Sequence, residues 1–137
     1  MQQVHFDTPF ETRLQKLDLT RIMARVEAET GLDKATLARA EELYRQFLTL
    51  HNRYKGQSFV PPQIVDYVWH SHIEHTRQYM ADCDMLFGAY LHHEPTDEDT
   101  TADYEAKTIP AYAQEFGEDI LMARQHNAKL FSGTGCG

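Results

Sequence analysis

The sequence predicts an all-α fold, a compact bundle of five to six helices, on three observations. Apolar residues recur at i, i+3 and i+4 along several segments, which is the spacing of one buried helix face. Strand signals are missing, because the sequence shows no sustained apolar–polar alternation and no Asn-Gly hairpin turn. Glycine or proline stands at most of the boundaries between the periodic segments.

The first two helices are predicted from apolar stripes and boundary residues. One runs from about Asp18 to Glu29, with Asp18 as its N-cap and Gly31 beyond its end. The next begins near Asp33 and continues to a break at residues 55–58. Its stripe consists of Leu37, Ala40, Leu43, Tyr44, Phe47 and Leu48.

A third helix is expected to start at Pro61-Pro62, because proline at the first helical position loses no N–H that the helix needs. It carries the apolar residues Ile64, Val65, Val68 and Trp69. A fourth helix is expected from Thr76 to Tyr90, with one apolar face made of Tyr79, Cys83, Leu86, Phe87 and Tyr90.

The remaining helices are predicted from capping and breaking residues. Thr96 followed by Asp99 resembles a capping box, Pro110 predicts a kink in the fifth helix, and Gly117 ends it. A last helix from Glu118 to Leu130 completes a single helical domain over residues 1–131. Residues 132–137 form a Gly/Cys tail with too little apolar surface to pack, so we expect it to be flexible.

Composition excludes several classes of function. The net charge of −8 disfavours nucleic acids and anionic membranes as partners, since affinity for either depends on Lys and Arg. No apolar run reaches the roughly 18 residues of a membrane span, and the first residues do not resemble a signal peptide. Two cysteines are too few for a disulfide scaffold, so we expect a cytoplasmic protein with reduced thiols. A protein partner and the oligomeric state stay open.

The stretch from Val65 to His93 is rich in side chains that bind metals. It contains five of the eight histidines and one of the two cysteines. Imidazole, thiolate and carboxylate are the ligands that hold zinc and neighbouring metals. The candidate ligands are His70, His72, Cys83, His92 and His93, and the candidate supporting residues are Asp66, Trp69, Tyr79 and Asp82.

Helical spacing limits how these residues combine. His70 and His72 point to nearly opposite sides of a regular helix, so either the helix breaks near Ser71 or only one of them is a ligand. Asp66 lies one turn from His70, where a carboxylate orients a ligating imidazole. On the next helix, Tyr79 and Cys83 are likewise one turn apart, and Asp82 is displaced to the side.

His92 and His93 lie at the far end of the fourth helix, roughly 22 Å of helix away from its start. They reach the same ion only if the chain folds back after Tyr90. Without a metal, Cys83 is a small buried apolar residue whose thiol pKa is raised, and the histidines are hydrogen-bonded core residues. Trp69 is read as a core residue. The isolated residues His5, His51 and His126 are expected at the surface.

The motif resembles the glycine-rich domain-containing protein family, in the form of a short bacterial-type member. The shared residues are Val65-Asp66, Trp69-His70, His72, Tyr79, Asp82-Cys83, Gly88 and His92-His93. The resemblance covers roughly Phe59 to Pro95, with a further helix at Tyr104 to Gly117. It implies that these residues form a site and implies no particular reaction.

Three functions are compatible with the sequence. The leading hypothesis is a small cytoplasmic metal-binding protein whose His/Cys/Asp site lies on two adjacent helices; zinc is the first choice of metal, with copper or iron as alternatives. The second is a metal-dependent hydrolase or oxygenase with an open metal position and Asp66 or Asp82 as base. The third is a metal-free helical interaction module.

Overall fold

The computed structural model describes residues 6–120 and confirms the predicted all-α fold, since every regular element in this range is helical. Five helices are regular, and the sixth run, α6 at residues 101–116, combines α- and π-helical turns. The regular helices are α1 (Phe10–Gln15), α2 (Thr20–Thr30), α3 (Lys34–Arg53), α4 (Gln63–Glu74) and α5 (Thr76–Phe87).

The short helix α1 was not predicted from the sequence, because six residues are too few for a clear apolar period. It is held by Arg13, which is buried and whose Nη2 donates to the Leu86 carbonyl at 2.9 Å, near the end of α5. The predicted capping of α2 by Asp18 needs correction. Leu19 is the N-cap, and the Asp18 carboxylate instead accepts from the Thr20 N–H at 3.0 Å.

Helix α3 is the central element of the described chain and begins as predicted. The Asp33 side chain accepts from the Thr36 N–H at 2.8 Å and so caps the helix. Its buried face packs against α2, α4 and α6. From α6, the Tyr112 hydroxyl donates to the Leu43 carbonyl at 2.7 Å.

Helices α4 and α5 are consecutive and are separated by one residue, His75. Helix α4 starts directly after Pro62, as predicted, and continues through Ser71, whose hydroxyl donates to the Ile22 carbonyl of α2 at 2.9 Å. Helix α5 ends at Phe87 rather than at Tyr90, because Gly88 adopts a left-handed conformation with φ of 69° and stops the helix.

Helix α6 differs from the prediction at its start. It begins at Thr101, and the predicted cap residue Thr96 forms a turn upstream, accepting from the Glu98 N–H at 3.1 Å. The irregularity expected at Pro110 is a π-helical segment, Tyr104–Thr108, which directly precedes the α-helical turn that holds this proline. Gly117 ends α6 in the left-handed conformation, as predicted.

The helices enclose one apolar core that extends from Phe10 to Ile120. Residues 118–120 are not helical, and the rest of the helix predicted over 118–130 lies outside the described residues, as do the tail at 132–137 and Cys136. The domain limits therefore stay predictions. No helix within residues 6–120 is long and apolar enough to cross a membrane.

Candidate metal centre

Helix α4 positions the first two residues of the site. Asp66 and His70 are one turn apart, and the distance from Asp66 Oδ1 to His70 Nε2 is 3.7 Å. The Asp66 side chain is only 5% exposed, because it lies at the edge of the apolar stripe, whereas the His70 side chain is 32% exposed. The pair thus has a buried carboxylate and an imidazole that solvent can reach.

The third residue comes from the segment after α5, residues 88–95, which we call the return segment. Gly88 turns the chain back, and His93 Nε2 donates to Asp66 Oδ1 at 2.8 Å. The His93 ring is stacked on Trp69, with ring centroids 3.8 Å apart and planes at 6°. The chain therefore folds back at Gly88, two residues earlier than the position after Tyr90 that the sequence analysis considered, and this brings His93 to Asp66.

The return segment is held by groups on α5. The Tyr79 hydroxyl donates to the Leu91 carbonyl and accepts from Trp69 Nε1–H at 2.9 Å. The Cys83 thiol lies beside the Leu91 backbone and Tyr79. These contacts fix the backbone two residues before His93 and also the indole on which its ring lies.

Ligand atoms of Asp66, His70 and His93 all lie within 4.8 Å of one another. Two ligands about 2.1 Å from a tetrahedral zinc ion are about 3.4 Å apart. The Asp66–His70 distance is close to this value, and the Asp66–His93 hydrogen bond is shorter. To bind an ion together, Asp66 and His93 would have to lose the proton that they share and move slightly apart.

His72, Cys83 and His92 are not part of this group. Within residues 6–120, the three residues above form the one cluster of His, Cys, Asp and Glu that has this spacing. Helix α4 continues through Ser71, so it does not have the break that would let His70 and His72 bind the same ion, and the two imidazoles point apart. The roles of the predicted ligands outside the cluster stay predictions.

His72 belongs to a separate, buried chain of hydrogen bonds. Its Nε2 contacts Asp82 Oδ2 at 2.8 Å and its Nδ1 contacts the Tyr44 hydroxyl at 2.6 Å. Burial raises the pKa of Tyr44 well above its usual value, so its hydroxyl stays protonated and donates to Nδ1. Both ring nitrogens of His72 are thus engaged. Tyr44 lies in the apolar stripe of α3, and nothing in the sequence distinguished it from the core residues beside it.

Cys83 and His92 have other surroundings. Burial raises the pKa of the Cys83 thiol, in agreement with its expected place on the apolar face of α5. His92 is exposed and its ring lies against Tyr90, with centroids 4.7 Å apart. The return segment places adjacent histidines on different sides, so only His93 faces Asp66.

The expectation that His51 lies at the surface is wrong. Its ring is buried, contacts Phe47 and Phe59 edge-on, and its Nδ1 donates to the Phe47 carbonyl at 3.0 Å. Burial lowers the pKa of His51, so the imidazole is neutral in the folded protein. The signal was present in the sequence, since His51 follows Tyr44 and Phe47 at i+7 and i+4 on the buried face of α3.

Fold and site together define an all-α protein with a partly buried group of Asp66, His70 and His93 whose ligand atoms lie within 4.8 Å of one another. The sequence model of the UCP032817-like family matches residues 11–110, and the chain belongs to that family. The match contains Asp66, His70 and His93. The assignment to the glycine-rich domain-containing family is wrong, because the family shown over most of the chain is a different one. No curated protein and no solved structure matches the chain.

Proposed function

We propose that this protein binds one divalent metal ion through Asp66, His70 and His93. The observation that supports the proposal is that three ligand atoms from two separate segments lie within 4.8 Å of one another. His70, the last of them on α4, and His93, on the return segment, are 23 residues apart in sequence (93 − 70). Each residue has an independent structural support: Asp66 is buried, His70 lies one turn away, and His93 is stacked on Trp69.

Zinc is the first candidate for the ion. Two imidazoles and one carboxylate are the protein ligands of several catalytic zinc sites, where a water molecule completes the tetrahedron. The same three-residue set also serves non-haem iron, which makes iron the main alternative. Copper(I) is less favoured, because no sulfur ligand belongs to the cluster, whereas copper(II) accepts imidazole and carboxylate ligands and stays an alternative.

An enzymatic role is the second candidate. Three protein ligands leave at least one coordination position free, and the partial exposure of His70 gives solvent access to the site. The ion would activate a bound water molecule or oxygen. Because Asp66 would be a ligand and Asp82 is hydrogen-bonded to His72, neither is placed to act as a separate base beside the cluster. This candidate rests on the metal proposal.

The first test is metal content and affinity. Protein purified without a histidine tag should contain about one metal ion per chain by elemental analysis, and titration with Zn²⁺ should saturate. Asp66→Asn, His70→Gln and His93→Gln should each weaken binding at least about 100-fold, since each removes one of three ligands, and loss of a mere supporting residue already costs 10–100-fold.

His92→Gln is the matched control, because it removes an adjacent imidazole that is exposed and outside the cluster. It should retain full metal content. Addition of a chelator should lower the melting temperature of the wild type and of His92→Gln but not that of His93→Gln. Wild-type protein without metal and without saturable binding would contradict the proposal and favour the metal-free interaction module, in which the Asp66–His93 hydrogen bond only holds the return segment.

Cytoplasmic location stays a sequence-based prediction.

A further inference from the structure

The outer face of α5 bears a groove of about 500 Å³ whose lining contains none of the three candidate metal ligands. Arg77, Met80, Ala81 and Asp84 line it from the helix, and Ala89 and Tyr90 line it from the return segment. Met80 is 63% exposed and Tyr90 is 43% exposed, and they are the exposed large apolar side chains of the described chain. Both therefore belong to one surface.

The helix residues of the groove form a continuous stripe opposite the core. Arg77, Met80, Ala81 and Asp84 have the i, i+3, i+4, i+7 spacing of a helix face that packs on another helix. The buried face of α5 consists of different residues, Tyr79, Cys83 and Leu86. Helix α5 thus has two packing faces, and the second has no partner within residues 6–120.

The charges on this stripe are placed so that the stripe is complementary to a second copy of itself that runs in the opposite direction. Arg77 stands at one end and Asp84 at the other, with Met80 and Ala81 between them. Neither charged residue has an ion-pair partner in the part of the chain that the structure describes. If a second copy of α5 lies antiparallel on the first, Arg77 faces Asp84 of the second copy, and Met80 faces the small residue Ala81. One two-fold axis, between Met80 and Ala81, satisfies both pairings.

We infer that this face of α5 is the interface of a two-fold symmetric homodimer of the chain. A two-fold interface uses the same patch on both copies, so the patch has to be complementary to itself. The stripe meets this requirement in charge, through two Arg77–Asp84 pairs, and in shape, through Met80 entering the groove beside Ala81 of the other copy. Symmetry doubles each contact, so that one substitution changes two of them.

The dimer should be weak, because one pair of three-turn helices makes an interface at the small end of the range for specific complexes. We expect a dissociation constant on the order of 10–100 μM. The net charge of −8 on each copy also opposes association, so measurement requires about physiological ionic strength to screen the repulsion.

Sedimentation equilibrium over a range of protein concentrations tests the inference. The wild type should show a monomer–dimer equilibrium. Arg77→Glu places a carboxylate opposite each Asp84, and Asp84→Arg places a guanidinium opposite each Arg77, so each single reversal should weaken dimerisation at least tenfold. The double variant Arg77→Glu with Asp84→Arg restores both pairs in reverse and should return the dissociation constant to within about threefold of the wild type.

Two further variants test whether changes in dimerisation come from this face of α5 rather than from the net charge of the chain. Lys34→Glu produces the same change in net charge as Arg77→Glu at an exposed position of α3 and should leave dimerisation unchanged. Met80→Glu should abolish it. A wild type that is monomeric up to millimolar concentration, single reversals without effect, or a double variant that is not restored would each overturn the inference. Metal content is unaffected in every variant if the two surfaces are independent.

Discussion

At the scale of single residues, the Tyr79 hydroxyl connects the parts of the candidate metal centre without belonging to its ligand set. It accepts from Trp69 Nε1–H at 2.9 Å and donates to the Leu91 carbonyl. Trp69 supports the His93 ring, and Leu91 precedes His93 by two residues. One buried hydroxyl therefore orients both the surface beneath the imidazole and the backbone that carries it.

Tyr79→Phe should weaken metal binding by about tenfold, in the range seen when a group that orients a ligand is removed. It should also lower the free energy of unfolding by about 1–3 kcal/mol, because the buried Trp69 N–H loses its acceptor. Isothermal titration with Zn²⁺ and denaturant unfolding measure the two effects.

Tyr112→Phe is the control for this prediction. Tyr112 is equally buried and donates to a backbone carbonyl, that of Leu43, far from the cluster. It should lose stability while its metal affinity stays that of the wild type. Equal metal affinities in the wild type and Tyr79→Phe would show that the hydroxyl acts on stability alone.

The residues of the candidate site differ in how far the sequence could predict them. Asp66 and His70 are one turn apart in one helix, so helical geometry alone brings them together. The position of His93 depends on where α5 ends and on the direction of the return segment, which local periodicity does not encode. His72 was grouped with the ligands because its type fits, and only the three-dimensional structure shows Tyr44 and Asp82 at its two nitrogens.

At the scale of elements, the end of α5 decides whether His93 reaches the site. Gly88 has a φ of 69°, a conformation that residues with a Cβ rarely adopt, and its N–H bonds to the Asp84 carbonyl at 3.0 Å. The helix therefore stops at Phe87, and the return segment starts in the direction of α4. The sequence-based prediction extended α5 to Tyr90, because the apolar period continues past a glycine that helices can also contain.

Gly88→Ala should lower the free energy of unfolding by about 1 kcal/mol and should also weaken metal binding, because strain at this residue displaces the segment that carries His93. Gly117→Ala provides the comparison. Gly117 ends α6 with a φ of 65°, and a Cβ there would meet no atom within 4 Å, so the change should reduce stability only. Thermal unfolding and metal titration of both variants separate the effects. A Gly88→Ala variant with unaltered metal affinity would mean that the return segment tolerates a shift at its start.

At the scale of the whole molecule, the all-α class and the starts of α3, α4 and α5 followed from patterns that act within a few residues. Apolar period, the Asp33 cap and the proline pair before α4 are local signals, and the structure agrees with them. Helix α1 could not be predicted in this way, because it is stabilised by a distant contact, the hydrogen bond from Arg13 to Leu86. His51 was a different kind of error, since it lies on the apolar period of α3 and was assigned to the surface because of its residue type.

The Arg39–Glu118 ion pair attaches the end of the described chain to the central helix α3. Arg39 donates from Nη1 and Nη2 to the two carboxylate oxygens of Glu118, at 2.9 and 2.7 Å, and Gln46 Nε2 donates to Glu118 at 3.0 Å. The Arg39 guanidinium, followed by the Gln46 amide, lowers the pKa of Glu118 below its usual value of 4.5 against the opposing effect of burial. The contact links α3 with the chain that leaves α6.

A lowered pKa in the folded state sets the sign of the pH dependence. The contribution of Glu118 to the free energy of unfolding is fully present above about pH 4.5 and is lost as the pH falls below that value, because the unfolded chain takes up the proton first.

Glu118→Gln should reduce the free energy of unfolding by about 0.5–1 kcal/mol at pH 7, a modest figure because the pair is partly exposed to solvent. The difference in free energy of unfolding between Glu118→Gln and the wild type should shrink as the pH falls below about 4.5. Urea unfolding at pH 7, 5 and 3 measures it, with Glu27→Gln, an exposed carboxylate of α2, as the control that should show no such trend. A difference that stays constant with pH would show that Glu118 acts through packing rather than through its charge.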